Sequence, residues 1–232
     1  MAAVPVRWPR AWRIIASRYP PIDIFERLTG DPGVWDALIA LEQLTNPRVR
    51  DAVGEIALVA PEDRVEGPGA SYVMAAFTHL NPRGSRFSDG TWGVYYAASE
   101  LATAIAETIH HFERFARDSG DPARTEDMRV LLGAVDREFE DVASLPWAQR
   151  SAVLDPDSYA VSQPYAGALR GAGALGVVYP SVRRAGGLCV GAFTPTAVSI
   201  PEQERHLAYR WDGARIDRYF DYQLEAWLDR PS

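Results

Sequence analysis

Read for the pattern of apolar and polar positions, the chain first organises at Pro32. From there to Leu44 apolar residues recur at helical spacing, with Val34, Leu38, Leu41 and Leu44 on one stripe. Asp31 is placed to cap this helix, and Pro32 sits in its first turn, where a missing N–H costs nothing. Glu55–Val59 reads as a short strand, Pro61, Gly67, Pro68 and Gly69 mark a loop, and Ser71–Thr78 fits either a strand or a buried helix. Asn81–Gly90 carries Asn, Pro, Asp and two Gly, so it predicts a loop whose backbone can approach a ligand closely. The aromatic and β-branched run Trp92–Ala98 predicts a strand. A helix follows over Glu100–Phe115, with Leu101, Ile105, Ile109 and Phe112 on one stripe and Glu107 roughly opposite, near Thr103 and His110. Met128–Val135 predicts a strand and Ser158–Arg170 a helix. Gly176–Tyr179 and Leu188–Phe193 are strands around a Pro-Ser-Val-Arg-Arg-Ala-Gly-Gly turn, and Trp211-Asp212-Gly213-Ala214 is a hairpin signal within His206–Tyr222. Helices interspersed with runs of strands predict an α+β fold, mixed sheets with flanking helices, in place of a regular βαβ alternation.

Length and composition narrow the functional classes. A chain of 232 residues with 47% hydrophobic and 24% charged residues predicts one well-packed domain. Its 31 acidic against 24 basic residues leave a net charge of −7, which repels a phosphate backbone, so polymeric nucleic acid is not an expected ligand. The lone cysteine, Cys189, has no disulfide partner in the chain and reads as an inert core residue, which suits a reducing, cytoplasmic setting. The amino terminus has no apolar signal segment, and no run approaches the roughly 20 apolar residues of a membrane helix, so neither export nor anchoring is expected. Walker, GxGxxG, GxSxG and HExxH motifs are absent, which argues against the enzyme classes they mark. His110 and His111 are adjacent on a helix and point about 100° apart. They read as solvated histidines, and no metal is expected.

Three polar residues stand out, each with an ordinary alternative. Arg86 lies in a Gly-rich loop before a strand, where a guanidinium fork can reach two oxygens of a phosphate or carboxylate, yet alone it reads as a surface arginine. Tyr96 follows Tyr95 along a strand, so one ring faces the core and the other faces out. Glu107 taken singly is a solvated helical glutamate.

In order, Gly84-Ser85-Arg86-Phe87, Val94-Tyr95-Tyr96-Ala97-Ala98, Thr103-Ala104-Ile105-Ala106-Glu107 and Val178-Tyr179-Pro180-Ser181 resemble the RES-domain family, named for its Arg, Glu and Ser. Trp12-Arg13-Ile14 is similar to the family's amino-terminal element. Arg18 is a rival to Arg13, because the gap before Arg86 is longer than in compact members, and Phe87 stands where tryptophan is commoner. The resemblance spans about residues 12–193. It implies a single domain similar in fold to the ADP-ribosyltransferase toxins, with a core over about 12–193, an inserted helical segment over about 30–54 and a carboxyl-terminal hairpin extension over about 200–232.

The resemblance also implies an activity: a toxin of a toxin–antitoxin pair that takes NAD as substrate and cleaves its nicotinamide–ribose bond, with water or phosphate as acceptor and no other cofactor. Two alternatives stay open, a mono-ADP-ribosyltransferase acting on a protein and a catalytically silent nucleotide- or partner-binding module. In the implied site Glu107 holds the ribose and stabilises an oxocarbenium-like state. Arg86 and Arg13 clamp the pyrophosphate, and Tyr96 stacks on the cationic nicotinamide ring. Ser181 donates to phosphate or ribose, with Arg183 as a helper. The implied partner is an antitoxin with a helix-turn-helix DNA-binding part that covers the cleft; self-association is a further alternative, and the hairpin is either a partner surface or an extra layer.

Overall fold

The computed structural model describes residues 3–19, 31–45 (side chains to residue 40) and 53–231. The strands are β1 (Ala3–Ala16), β2 (Tyr95–Ala98), β3 (Arg124–Asp141), β4 (Gly176–Pro180), β5 (Leu188–Ala192), β6 (Glu202–Trp211), β7 (Ile216–Asp221) and β8 (Ala226–Asp229). The helices are α1 (Trp35–Thr45), α2 (Ala70–Thr78), α3 (Leu101–Ser119), α4 (Trp147–Val153) and α5 (Ser162–Gly171). Among the described residues the strands form one mixed sheet in the order β1-β2-β5-β4-β3-β6-β7-β8, with β1 also paired to β3, and helices flank it. The α+β expectation holds.

β3 is the spine. One of its edges carries β1, and the other carries β6 and then, in parallel, β4. The β1–β3 pairing closes β1, β2, β5, β4 and β3 into a ring whose weakest link is the single pair Trp12↔Ala98. Apolar side chains cover both faces of the ring. Trp12, Ile14, Phe87, Ile105 and Ile109 belong to one core, and Trp35, Met74, Phe77, Tyr95 and Phe139 to the other. The alternation that predicts one inward and one outward ring at positions 95 and 96 therefore fails: Tyr95 is buried in the second core, and Tyr96 packs, partly buried, against the first.

α3 carries its expected apolar stripe, with Ile105, Ile109 and Phe112 buried, and continues to Ser119, where Gly120 in the left-handed region (φ 65°) ends it. Residues 70–78 resolve as helix. Glu55–Val59 is not a strand; a 3-10 turn occupies Ile56–Leu58, because the Glu55 N–H bonds to Thr78 O and those of Leu58 and Val59 close back onto Glu55 and Ile56. The helix at Pro32 begins as expected, with Asp31 accepting from Gly33 N, but its buried face differs. Trp35 and Ile39 are buried, while Val34 and Leu38 are 46% and 42% exposed. The sequence offers two overlapping stripes here, and the one holding the indole goes inward because it removes the larger apolar area from water. Leu41 and Leu44 lie outside the described side chains.

β1 is not visible in the sequence pattern. Pro5, Arg7, Pro9 and Arg10 interrupt its alternation, and a register shift between Trp8 and Ala11 accommodates Pro9, which has no N–H to give a ladder. α5 begins at Ser162 and not at Ser158, since the Asp155 carboxylate takes the N–H groups of Asp157 and Ser158 into a turn first. The expected hairpin forms between β6 and β7 and is continuous with the sheet: Tyr209 and Trp211 are fully buried, and Glu113 of α3 accepts from Ile216 N and Arg230 Nη1. No helix among the described residues is long and apolar enough to cross a membrane.

Candidate active site

The loop before β2 closes on itself. Gly84 has φ +70°, and a Cβ there would stand 2.5 Å from Ser88 O, so the turn requires glycine. The backbones of Ser85 and Ser88 bond to each other, and Gln163 Nε2 donates to both of their carbonyls. Arg86 and Phe87 thereby form a two-residue tip turned inward, 6% and 0% exposed. Arg86 is not a surface arginine. Its Nη1 donates to Asp155 O at 2.7 Å and Val153 O at 3.4 Å, and its guanidinium lies 4.9 Å from the ring centre of Tyr159.

Tyr96 ties this loop to the sheet. Its hydroxyl accepts from Phe87 N at 3.0 Å and shares a 2.8 Å hydrogen bond with Ser85 Oγ, while its ring stacks on Phe87 at 6.4 Å. Burial pushes the phenol up to about 12, against the opposing pull of the Ser85 and Phe87 hydrogen bonds.

Glu107 sits mid-way along α3, and its Oε1 accepts from Ser181 Oγ at 2.6 Å. Ser181 Oγ in turn accepts from the N–H groups of Arg183 and Arg184, both at 3.1 Å. The turn after β4 is thus clamped onto α3, helped by Arg184 Nη1 donating to Glu100 Oε2 at 2.7 Å and Thr103 Oγ1 at 3.1 Å. Gly187 makes the close approach possible, since a Cβ there would lie 2.5 Å from Thr103 Oγ1. Buried Cys189 brings Sγ to 4.0 Å from Glu107 Oε1; burial and then that carboxylate raise the thiol above its usual range, which keeps it protonated and unreactive.

Arg13 enters from β1. On its side of the Trp12↔Ala98 pair β1 and β2 diverge, and Arg13 Nη1 bridges the gap to Tyr96 O at 3.1 Å, with the guanidinium 4.4 Å from the ring centre of Tyr95. Burial lowers its pKa, and the two tyrosines oppose the shift. The wedge between the strands opens into a cavity of about 1170 Å³ lined by Arg13, Tyr72, Ser85, Trp92, Tyr96 and Phe115, among others. Arg18 pairs with Glu126 at 3.5 Å, so Arg13 is the amino-terminal arginine on the cavity wall.

The residues singled out in the sequence thus fall into sets that are joined within themselves: Glu107 with Ser181, Arg86 with Tyr96, and Arg13 with the Tyr96 backbone. Glu107, Ser181 and the Arg183 backbone are joined directly, and Arg86 adjoins Tyr96 through Phe87. Arg13 faces the cavity, which Arg86, Glu107 and Ser181 do not line, and among the described residues no hydrogen bond or ring contact joins it to those three.

Further residues adjoin these. Arg114 lies 5.6 Å from the Tyr159 ring centre. His111 and Arg114 follow Glu107 by four and seven positions on one helix face, a signal the sequence does hold; nothing local marks Tyr159. The histidines are not simply solvated. His110 is half-buried, and burial followed by the charges of Arg183, His111 and Arg114 pulls it down to about 3. Packing around the ring, and then the guanidiniums of Arg183, Arg86 and Arg114, pull His111 down to about 4; the residue is exposed, so water weakens both causes. Among the described residues no group of three or more His, Cys, Asp or Glu is disposed to hold a metal ion.

Comparison with known proteins places the chain in a family. The RES domain profile matches residues 61–212. An uncharacterized protein, y4oC of Sinorhizobium fredii, is 27% identical over 220 residues, covering 91% of this chain and 86% of its own. Among solved structures, a chain of the M. tuberculosis MbcT–MbcA toxin–antitoxin complex covers 91% of this chain and 88% of its own with a TM-score of 0.44 and 13% identity. The profile match takes in more than half of the chain, including Arg86, Tyr96, Glu107 and Ser181, and the chain belongs to the RES-domain family.

Proposed function

We propose that this RES-domain protein consumes NAD, cleaving the bond between nicotinamide and ribose, and acts as the toxin of a toxin–antitoxin pair. One observation carries the chemistry: Glu107 is held by Ser181 through one carboxylate oxygen, Oε1. As the C–N bond breaks, its electron pair leaves with nicotinamide, which becomes neutral, and positive charge develops on the ribose. A carboxylate beside that carbon stabilises the charge, as in glycoside hydrolysis. Ser181 keeps Glu107 oriented through Oε1, and no described residue donates to Oε2, which is free to receive a ribose hydroxyl. An acceptor oxygen, from water or phosphate, then bonds to the ribose carbon and releases its proton. Tyr96 is neutral at physiological pH and offers a ring to the nicotinamide.

The test is incubation of purified protein with NAD, with and without phosphate, followed by chromatography of the products. Nicotinamide should appear together with ADP-ribose or its phosphorylated form, and the acceptor is read from which accumulates. NAD that persists under both conditions overturns the proposal. Family membership also supports an antitoxin partner with a helix-turn-helix part; co-expression with the product of an adjacent small reading frame should relieve growth arrest.

A further inference from the structure

One face of the β1–β3 ladder carries two arginines among the apolar residues Ala11, Ile15 and Leu131. Arg13 stands opposite Leu131 and Arg129 opposite Ile15, so the two arginines are diagonal neighbours on that face, a relation that sets side chains within about 8 Å of each other. Arg13 lines the cavity that opens where β1 and β2 part. Arg129 adjoins it, flanked by two of its lining residues: Ile15 across the ladder, and Tyr72 of α2, whose ring centre lies 5.8 Å from its guanidinium. Arg129 is only 9% exposed, yet its Nε and Nη1 are buried without a hydrogen-bond partner, and Arg13 Nε is in the same position. Among the described residues neither arginine pairs with a carboxylate. Asp127, on the same face of β3, is exposed and accepts from the Tyr222 hydroxyl, while Glu126 is taken by Arg18 and Arg124. No described Asp or Glu lines the cavity.

A guanidinium withdrawn from water without an anion is unfavourable, and a buried polar group with no partner points to an absent one. Methionine in place of Arg129 would fill similar space without that penalty. The rest of the cavity is largely apolar, with Ile15, Ala75, Leu80, Trp92, Val94 and Phe115 on its walls, and about 1170 Å³ is ample for a small molecule. Cations on one wall and apolar surface on the others complement a molecule with one anionic head and an apolar body. A polyanion would press its further charges against apolar walls.

We infer that the cavity is a binding site for a small carboxylic acid with an apolar body, its carboxylate held on the β1–β3 wall by Arg13 and Arg129 and its body lying against α2 and residues 92–94. Arg86, Glu107 and Ser181 do not line the cavity, so this site goes beyond the function proposed above and does not rest on it.

Calorimetric titration of the full chain with 2-naphthoate and with decanoate tests the site, one acid carrying a ring and the other an acyl chain. At least one of them should bind at least about 10-fold more tightly than acetate and than its uncharged counterpart, naphthalene-2-carboxamide or decanol. The tighter of the two acids identifies the body. Arg129→Met and Arg13→Met should each weaken that acid at least about 10-fold and leave its uncharged counterpart unaltered. The unfolding midpoint of Arg129→Met should be no lower than the parent's, because the substitution removes a buried charge that had no partner; a lower midpoint makes the arginine structural and overturns its role. Ala75→Trp, which narrows the cavity without touching a charge, should block binding in a folded chain. Failure of both acids to bind, equal affinity for acid and uncharged counterpart, or acid binding indifferent to Arg129→Met overturns the site. Displacement of the acid by NAD, one for one, assigns the cavity to the nucleotide and overturns it too. NAD loss is measured separately: acid binding that depends on Arg129 in a protein that leaves NAD intact overturns the proposed NAD chemistry and supports this site.

Discussion

Replacing Tyr96 by phenylalanine removes one oxygen from the point where the Arg86 loop is tied to the sheet. That oxygen accepts from Phe87 N at 3.0 Å and shares a bond with Ser85 Oγ at 2.8 Å. Phe87 is fully buried, so its N–H is left without a partner, at a cost of about 1–3 kcal/mol. The Ser85 bond adds less, because Ser85 lines the cavity and its hydroxyl can turn to water there. A net loss of about 1–3 kcal/mol follows, and with roughly 2–4 °C per kcal/mol for a chain of this size the midpoint should fall by about 2–12 °C. Thermal unfolding followed by circular dichroism, with urea midpoints alongside, measures it. Ser85→Ala alone should cost less, and adding it to Tyr96→Phe should cost little more, since the two share one bond. A Tyr96→Phe midpoint within about 1 °C of the parent, or strictly additive effects, would show that Tyr96 does not anchor the loop.

Other outcomes follow from the same geometry. Glu107→Gln keeps an acceptor for Ser181 but removes the charge, so the proposed NAD cleavage should drop by about 10²-fold or more in steady-state kinetics with an unchanged fold. Gly187→Ala drives a methyl into Thr103 and should cost about 1–3 kcal/mol in urea unfolding; Thr103→Ala in the same chain should return part of it. The folded-state pKa values of His110 and His111 lie below the ordinary 6.5, so below about pH 6.5 the unfolded chain binds protons first. Stability should therefore be fully present above pH 6.5 and decline as pH falls toward about 4, and His110→Gln should flatten that decline; an identical slope would remove His110 as a cause. Tyr96 and Tyr165 are raised to about 12, so stability should hold up to about pH 10 and fall between pH 10 and 12 as the unfolded chain ionises first. Ultraviolet titration of the folded protein should find these phenols still protonated where free tyrosine ionises.

Where a signal is local, it is legible in the chain. α3, its apolar stripe and the position of Glu107 across from it follow from a period of 3.6, and the hairpin at Asp212-Gly213 follows from its turn residues. The cap at Asp31 and the loop of Asn81–Gly90 depend on side chains acting within a few residues of themselves. The order of Arg86, Tyr96, Glu107 and Ser181 was also sufficient for the family. Strands are less legible because a strand exists only against a partner. Four arginine and proline interruptions hid β1, yet β3 lies ready along its length; Glu55–Val59 has a strand's composition and, among the described residues, no strand to pair with.

Sequence by itself therefore determined the α+β class, the principal helices, the hairpin and the identities of the polar residues in their family order. Tertiary structure alone decided which way those residues face and what surrounds them: Arg86 inward on carbonyls of a distant turn, Arg13 at the parting of β1 and β2, Tyr159 beneath two guanidiniums. The reason is physical. Periodicity, caps and turns act through atoms a few residues apart, whereas burial, hydrogen-bond partners and local charge depend on segments that only the closed sheet brings together. The stretch from Gly84 to Glu107 carries most of the family's motif, and the turns at residues 155–159 and at Ser181 give it a setting.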